Sequence, residues 1–226
     1  MQKLLGSDQY SDWSNGDSQT LWCHGIAGGG KTIFASVVVD SLKAAQINKP
    51  SRKSRAGVVC LFIEYERQKE QTVRSLTAAI LRQLSEQCEM LPESVIDLFE
   101  QYGSTIAHTR FEDISLALTN VMKQFPQVYL IVDALDECTE NTRRELLAHL
   151  SDQQRKSGLK ILATSRSTID FQKDFGASEE MEIKADVLDV KTVLDLLIDR
   201  SDSLVRTNKA LRHRVTESIA VAVDGM

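Results

Sequence analysis

Four short apolar runs punctuate the chain, at residues 20–24 (TLWCH), 58–63 (VVCLFI), 128–132 (VYLIV) and 160–164 (KILAT). Continuous runs of this length suit parallel strands buried on both faces, and residues 181–183 are read as a fifth. Between them the apolar positions recur at helical spacing. Phe34, Val38, Leu42 and Ala45 share one face, and so do Ile114, Leu118, Val121, Met122 and Phe125. Thr142 followed by Glu145 three residues on reads as a capping box opening the helix that carries Leu146, Leu147 and Leu150. Strand and helix alternate, so a parallel α/β sandwich is the expected architecture. After about residue 186 no strand pattern remains. Val187, Val190, Val193, Leu194 and Leu197, then Leu211, Val215 and Ile219, predict two amphipathic helices.

The glycines are unevenly placed: four of the 11 fall within residues 25–30. They belong to GIAGGGKT, residues 25–32, which fits GxxxxGK[ST] in full. Glycine permits the torsions and close approaches that let successive N–H groups turn toward phosphate oxygens. Gly25, Ile26, Ala27, Gly28, Gly29, Gly30, Lys31 and Thr32 are therefore candidate nucleotide-binding residues, with Lys31 as a point charge and the Thr32 hydroxyl as a magnesium ligand. A helix starting near Lys31 would aim its N-terminal dipole at the same phosphates. The context is the one the motif requires, a strand before and a helix after. Cys23 and His24 are read as strand-end packing.

A second cluster ends the third run. In VYLIVDALDEC, Asp133 follows the apolar strand, where a carboxylate can hold the magnesium ion. Asp136 and Glu137 follow at once, and three carboxylates at one strand end repel one another unless a cation lies among them. Glu137 is the candidate to orient or deprotonate an attacking water, with Asp136 beside it. The fourth run ends in Ser165 and Arg166, and that guanidinium is a candidate contact to the γ-phosphate.

Composition narrows the partners. The 226 residues are 42% apolar and 26% charged, enough to bury a core, and no apolar stretch is long enough for a membrane helix. The N-terminus lacks the apolar core of a secretory signal, and the four cysteines form no CxxC pair, so reduced thiols in a cytoplasmic chain are expected. A net charge of −5 argues against nucleic acid, and residues 48–55 (NKPSRKSR) read as a solvated basic loop.

Taken in order, GIAGGGKT, VDALDEC and LATSR resemble the NACHT domains of STAND-type P-loop NTPases, with Walker A and Walker B elements. The small residue after the acid strand end and the paired acid two positions on (Asp133, Ala134, Asp136, Glu137) carry the resemblance. LWCHGIAGGGKT and the upstream Asp12-Trp13 look most like the nephrocystin-like NACHT modules of fungal multidomain proteins, which often carry ankyrin or WD repeats. The resemblance implies a three-layer sandwich around a five-stranded parallel sheet of ASCE order 5-1-4-3-2, with the Arg166 strand between the phosphate-loop and Asp133 strands. It also implies ATP, in some members GTP, with Mg2+, and a signalling switch rather than fast turnover. Two positions depart from the family: Ala27 stands where proline is common, and Gly29 where a small nonglycine residue is common.

The expected organisation is a lead-in over residues 1–18, the NTPase domain over 19–185, and the start of a truncated helical region over 186–226 that offers a surface for self-association or a partner protein. A noncatalytic interaction scaffold is the alternative. A guanine reader is disfavoured, because Asn48-Lys49-Pro50-Ser51 and Asn208-Lys209-Ala210-Leu211 both lack the aspartate of NKxD.

Overall fold

The computed structural model describes residues 2–47, 54–103, 109–168, 178–184 and 208–224, with positions 49, 171, 173, 176, 194, 198, 199 and 205. Its strands are β1 (Thr20–His24), β2 (Gly57–Phe62), β3 (Val128–Asp133), β4 (Lys160–Ser165) and β5 (Glu179–Glu182). They form one parallel sheet in the order β2-β3-β4-β1-β5, which is the 5-1-4-3-2 order met from the other edge. The Arg166 strand β4 lies between β1 and β3.

Alternate residues of each strand face opposite layers, as the two-residue period requires. Val59, Leu61, Leu130, Val132, Ile161 and Ala163 face helices α4 (Val73–Ser85), α6 (Phe111–Met122) and α7 (Glu140–Ser157), while α5 (Glu93–Tyr102) lies outside α6. On the other side Leu21, Cys23, Val58, Ile131 and Leu162 meet α2 (Asp8–Asn15) and α3 (Lys31–Ile47). Phe34, Val38 and Leu42 are buried there as their spacing predicts, each contributing about 1.5 to 3 kcal/mol. A four-residue helix α1 (Gln2–Leu5) precedes α2, and α8 (Lys209–Asp224) closes the described chain.

The N-terminal segment is docked on the sheet. Trp13 is fully buried, with ring contacts to Tyr10 at 5.7 Å and Tyr129 at 5.6 Å, and the Tyr129 hydroxyl donates to the Ser14 carbonyl at 2.9 Å. Lys160, at the start of β4, donates to the carbonyls of Trp13 (2.7 Å), Gly16 (2.7 Å) and Ser18 (3.2 Å). A cation at a helix C-terminus meets the negative end of the macrodipole and satisfies carbonyls left without a helical partner.

The free side of edge strand β2 is covered by amide side chains. Gln83 of α4 exchanges hydrogen bonds with Cys60, accepting from its N–H at 3.1 Å and donating to its carbonyl at 2.9 Å. Gln87 does the same for Val58 at 3.0 and 2.9 Å. Gln71 accepts from the Glu64 N–H and donates to the Phe62 carbonyl. Three glutamines thus satisfy backbone groups that an edge strand otherwise leaves open.

Several local expectations shift. The seventh helix is capped by Thr139, not Thr142: the Thr139 hydroxyl accepts from the Thr142 N–H at 3.2 Å. Glu145 instead accepts from the Asn141 side chain one turn earlier. The fifth strand is Glu179–Glu182, starting two residues earlier and ending one earlier than expected, because its exposed positions are glutamates that an apolar search passes over. Ala45 is exposed, near the end of α3, and Phe125 packs on the core from beyond the end of α6. Most of residues 48–55 and of the helix expected around Val187 to Leu197 lie outside the described residues. The last expected helix is α8, with Leu211 and Val215 half-buried and Ile219 exposed.

Candidate functional site

The loop between β1 and α3 is shaped by its glycines. Gly28 and Gly30 adopt φ of 76° and 91°, in the region where side-chain-bearing residues are strained. Gly25 is required for a different reason: a Cβ there would lie 2.3 Å from the carbonyl oxygen of Ile183, just beyond β5. Ile183 in turn donates its N–H to the His24 carbonyl. Helix α3 starts at Lys31, and its first N–H groups lack intrahelical partners by construction. Lys31 donates to the carbonyls of Gly25 (2.8 Å) and Ile26 (2.6 Å). Burial lowers the Lys31 pKa, and Arg166 adds to the effect, whereas Asp136 and Asp133 oppose it.

The loop, the end of β3 and the end of β4 surround one cleft of about 330 Å³. Ala27, Gly28, Gly30, Lys31 and Thr32 line it from the loop, and Asp133, Asp136, Glu137, Thr164 and Arg166 face them. The chain therefore brings together residues from all three motifs. Gly25, Ile26 and Gly29 shape the loop behind that lining; Gly29 donates its N–H to the Ile26 carbonyl at 3.2 Å.

The three carboxylates do not converge on a shared point as their adjacency suggests. Asp133 is buried and accepts the Thr164 hydroxyl at 2.5 Å. Asp136 faces β4: its Oδ1 accepts the Arg166 backbone N–H at 3.0 Å, and its Oδ2 lies 3.2 Å from Arg166 Nε. Glu137 turns the other way, its Oε2 accepting the Tyr65 N–H at 2.9 Å while its carbonyl accepts from Gln68 Nε2 at 2.6 Å. The divergence originates at Ala134, which sits at φ 59°, ψ 47° and starts a 3-10 turn over Leu135–Glu137. Left-handed alanine costs roughly 1 to 2 kcal/mol. Two bonds hold it, its N–H to Thr164 Oγ1 at 3.0 Å and its carbonyl to the Glu137 N–H at 2.9 Å.

A magnesium nucleotide fits this donor set. The cleft offers a lysine, the amide ends of a helix and a threonine hydroxyl on one side, and on the other a buried carboxylate with one oxygen already held in place. No group of three His, Cys, Asp or Glu that could hold a metal occurs among the described residues, so any ion here depends on Thr32, Asp133 and phosphate oxygens together. Sequence reasoning missed Thr164 and Tyr65. Thr164 carried a usable signal, a polar residue inside a fully buried strand end, but Tyr65 acts through its backbone and carries none.

A family model described as "Nephrocystin 3, N-terminal" matches residues 1–166. A curated relative, "Vegetative incompatibility protein HET-E-1" of Podospora anserina, is 23% identical and aligns with 91% of this chain. This chain spans 15% of that protein's length. Among solved structures, the Aeropyrum pernix ORC1 protein in complex with DNA is similar at a TM-score of 0.56 and 13% identity, covering 94% of this chain and 53% of that one. The ORC2 protein of Aeropyrum pernix in its ADP form gives 0.54 and 16%, covering 80% of this chain and 46% of that one. At such identity the likeness establishes a shared P-loop-type fold. It also overturns the exclusion of nucleic acid: a protein of this fold is solved with DNA, and a net charge summed over a chain does not describe any one of its faces. No helix of the described residues is long and apolar enough to cross a membrane.

Proposed function

This chain belongs to the nephrocystin 3 N-terminal family and is a NACHT-like module, and from that premise we propose that it binds a purine nucleoside triphosphate with Mg2+ as a slow switch. The observation that carries the reading is the single cleft shared by Lys31, Thr32, Asp133 and Arg166. In it the amide ends of the loop and Lys31 bind the phosphates, and Thr32 with Asp133 holds the ion. The bound ion supplies charge neutralisation at the transferring phosphate. Arg166 reads the terminal phosphate from the end of β4, and Glu137 orients water. ATP is favoured over GTP, since neither candidate guanine-reading sequence has its aspartate, and the ADP form of ORC2 supports an adenine nucleotide in this fold. A cytoplasmic signalling or incompatibility-type role, with residues 19–185 as the NTPase unit, completes the reading.

Hydrolysis is slow in this account because Glu137 is already engaged by the Tyr65 N–H and Asp136 by Arg166. The same contacts favour a second reading, a scaffold that binds nucleotide without turning it over. Binding and single-turnover hydrolysis of labelled ATP and GTP separate the two. Lys31→Ala is expected to lose binding, and Glu137→Gln to keep binding and lose hydrolysis. Binding unaffected by Lys31→Ala would sink the phosphate-loop assignment, and equal hydrolysis in Glu137→Gln would remove that residue's role.

A further inference from the structure

Helix α5 has no buried residue, although its apolar positions are grouped on one side. Val95 and Leu98 pack on the main core, while Phe99 remains 62% exposed. Between α4, α5 and α6 runs a groove of about 360 Å³ lined by Leu81, Leu91, Val95, Leu98, Phe99 and Ile114. Leu91, 56% exposed, also lines an adjoining cleft of about 600 Å³ that holds Met90, 82% exposed. The two form one apolar track, and exposed apolar residues that are contiguous in this way mark a binding surface where scattered ones do not.

The rim of the second cleft is acidic. Glu89 and Glu93 line it, whereas the two charges lining the first groove, Arg82 and Glu86, pair with each other. Neither Glu89 nor Glu93 is ion-paired among the described residues. Residues 82–113 contain seven acidic residues against two arginines, a net −5 that equals the net charge of the whole chain. A negative field of this kind repels phosphate-rich surfaces and attracts a cationic partner.

We propose that this groove docks an amphipathic α-helix with an apolar stripe and Lys/Arg flanks, supplied by a partner protein. Helical spacing presents both features at once: i, i+3, i+4 and i+7 anchors fill the track, while cationic side chains on the flanks meet Glu89 and Glu93. The track shares no lining residue with the glycine-loop cleft, so the inference stands whether or not that cleft binds nucleotide.

The test is fluorescence polarisation of the full chain with a labelled 18-residue Leu/Lys helix peptide, a scrambled peptide of identical composition, and a Leu/Glu version. The Leu/Lys helix is expected to bind with a Kd on the order of micromolar, and both controls at least roughly tenfold more weakly. Leu91→Ser with Phe99→Ser, and separately Glu89→Lys with Glu93→Lys, should each weaken the Leu/Lys helix about tenfold while melting like the wild type, since all four side chains are exposed. Equal binding of the scrambled peptide, or no effect of either double variant, overturns the proposal. So does a dimer in light scattering that Leu91→Ser with Phe99→Ser dissolves, because the face would then belong to a second copy.

Discussion

Thr164 donates its hydroxyl to Asp133 at 2.5 Å, and the same oxygen accepts the Ala134 N–H at 3.0 Å. One fully buried hydroxyl therefore fixes both the carboxylate and the left-handed residue that follows it. Thr164→Val keeps the shape and removes both bonds. A loss of about 1 to 3 kcal/mol is expected in urea unfolding, and weaker magnesium-dependent nucleotide binding with it. Thr164→Ser should restore most of both; an unchanged unfolding curve for Thr164→Val would mean that the bonds contribute nothing net.

Gly25 and Gly28 occupy one loop for different reasons, and alanine separates them. Gly25→Ala forces a Cβ against the Ile183 backbone oxygen, so the segment after β5 has to move. Gly28→Ala meets nothing within 4 Å and bears only the torsional cost at φ 76°, about 1 to 2 kcal/mol. Hydrogen exchange at residues 179–183 should quicken in Gly25→Ala and stay at the wild-type rate in Gly28→Ala. Equal rates in the two variants would contradict the contact.

The strands were legible because both faces of a parallel sheet are buried, which writes them as unbroken apolar runs. The phosphate loop was legible because its glycines are local to eight consecutive positions. What sequence could not carry is direction across distance: that Asp136 meets Arg166, 30 residues on, while its neighbour Glu137 meets Tyr65 instead. Helix α4 did leave a signal, since Thr72 and Ser75 form a reciprocal cap ahead of Leu76, Ile80 and Leu84. Helix α5 left a weaker one, because it buries no residue. On paper Thr142 is the better cap, with Glu145 three residues on, and only the chain's path selects Thr139.

Lys160 fastens α2 to the start of β4 through three carbonyls. Burial lowers its pKa, with Asp12 and Asp17 opposing that shift. Lys160→Met preserves length and leaves the three carbonyls without their donor, at a cost of about 2 to 4 kcal/mol. The Tm should fall by roughly 5 to 10 °C for a chain of this size, and proteolysis should then begin before residue 20. A Lys160→Met protein that melts with the wild type would refute the tether.

His149 gives the stability a pH dependence. Its Nε2 is buried with no partner, the ring lies edge-on to Phe111 at 5.0 Å, and burial lowers its pKa, with Asp152 pulling it up and Lys156 pushing it down. A base with a depressed folded pKa binds more protons when unfolded, so its contribution to stability is lost as pH falls below the unfolded value of about 6.5. Urea midpoints should drop between pH 7.5 and 5.5, and His149→Leu should flatten that slope. A slope identical in the variant would assign the dependence to other groups.

The glutamines along β2 limit how other chains can join this sheet. A strand arriving there would find the donors and acceptors of Val58 and Cys60 already bonded to Gln87 and Gln83, and would have to displace α4 to pair. At the opposite border, β5 carries Glu179, Glu180 and Glu182, the last paired with Lys184 at 3.0 Å, and charged side chains on an edge strand discourage pairing. Assembly by strand addition is thus closed at one border by hydrogen bonding and discouraged at the other by charge. Partners are left the helical layers and the mouth of the cleft.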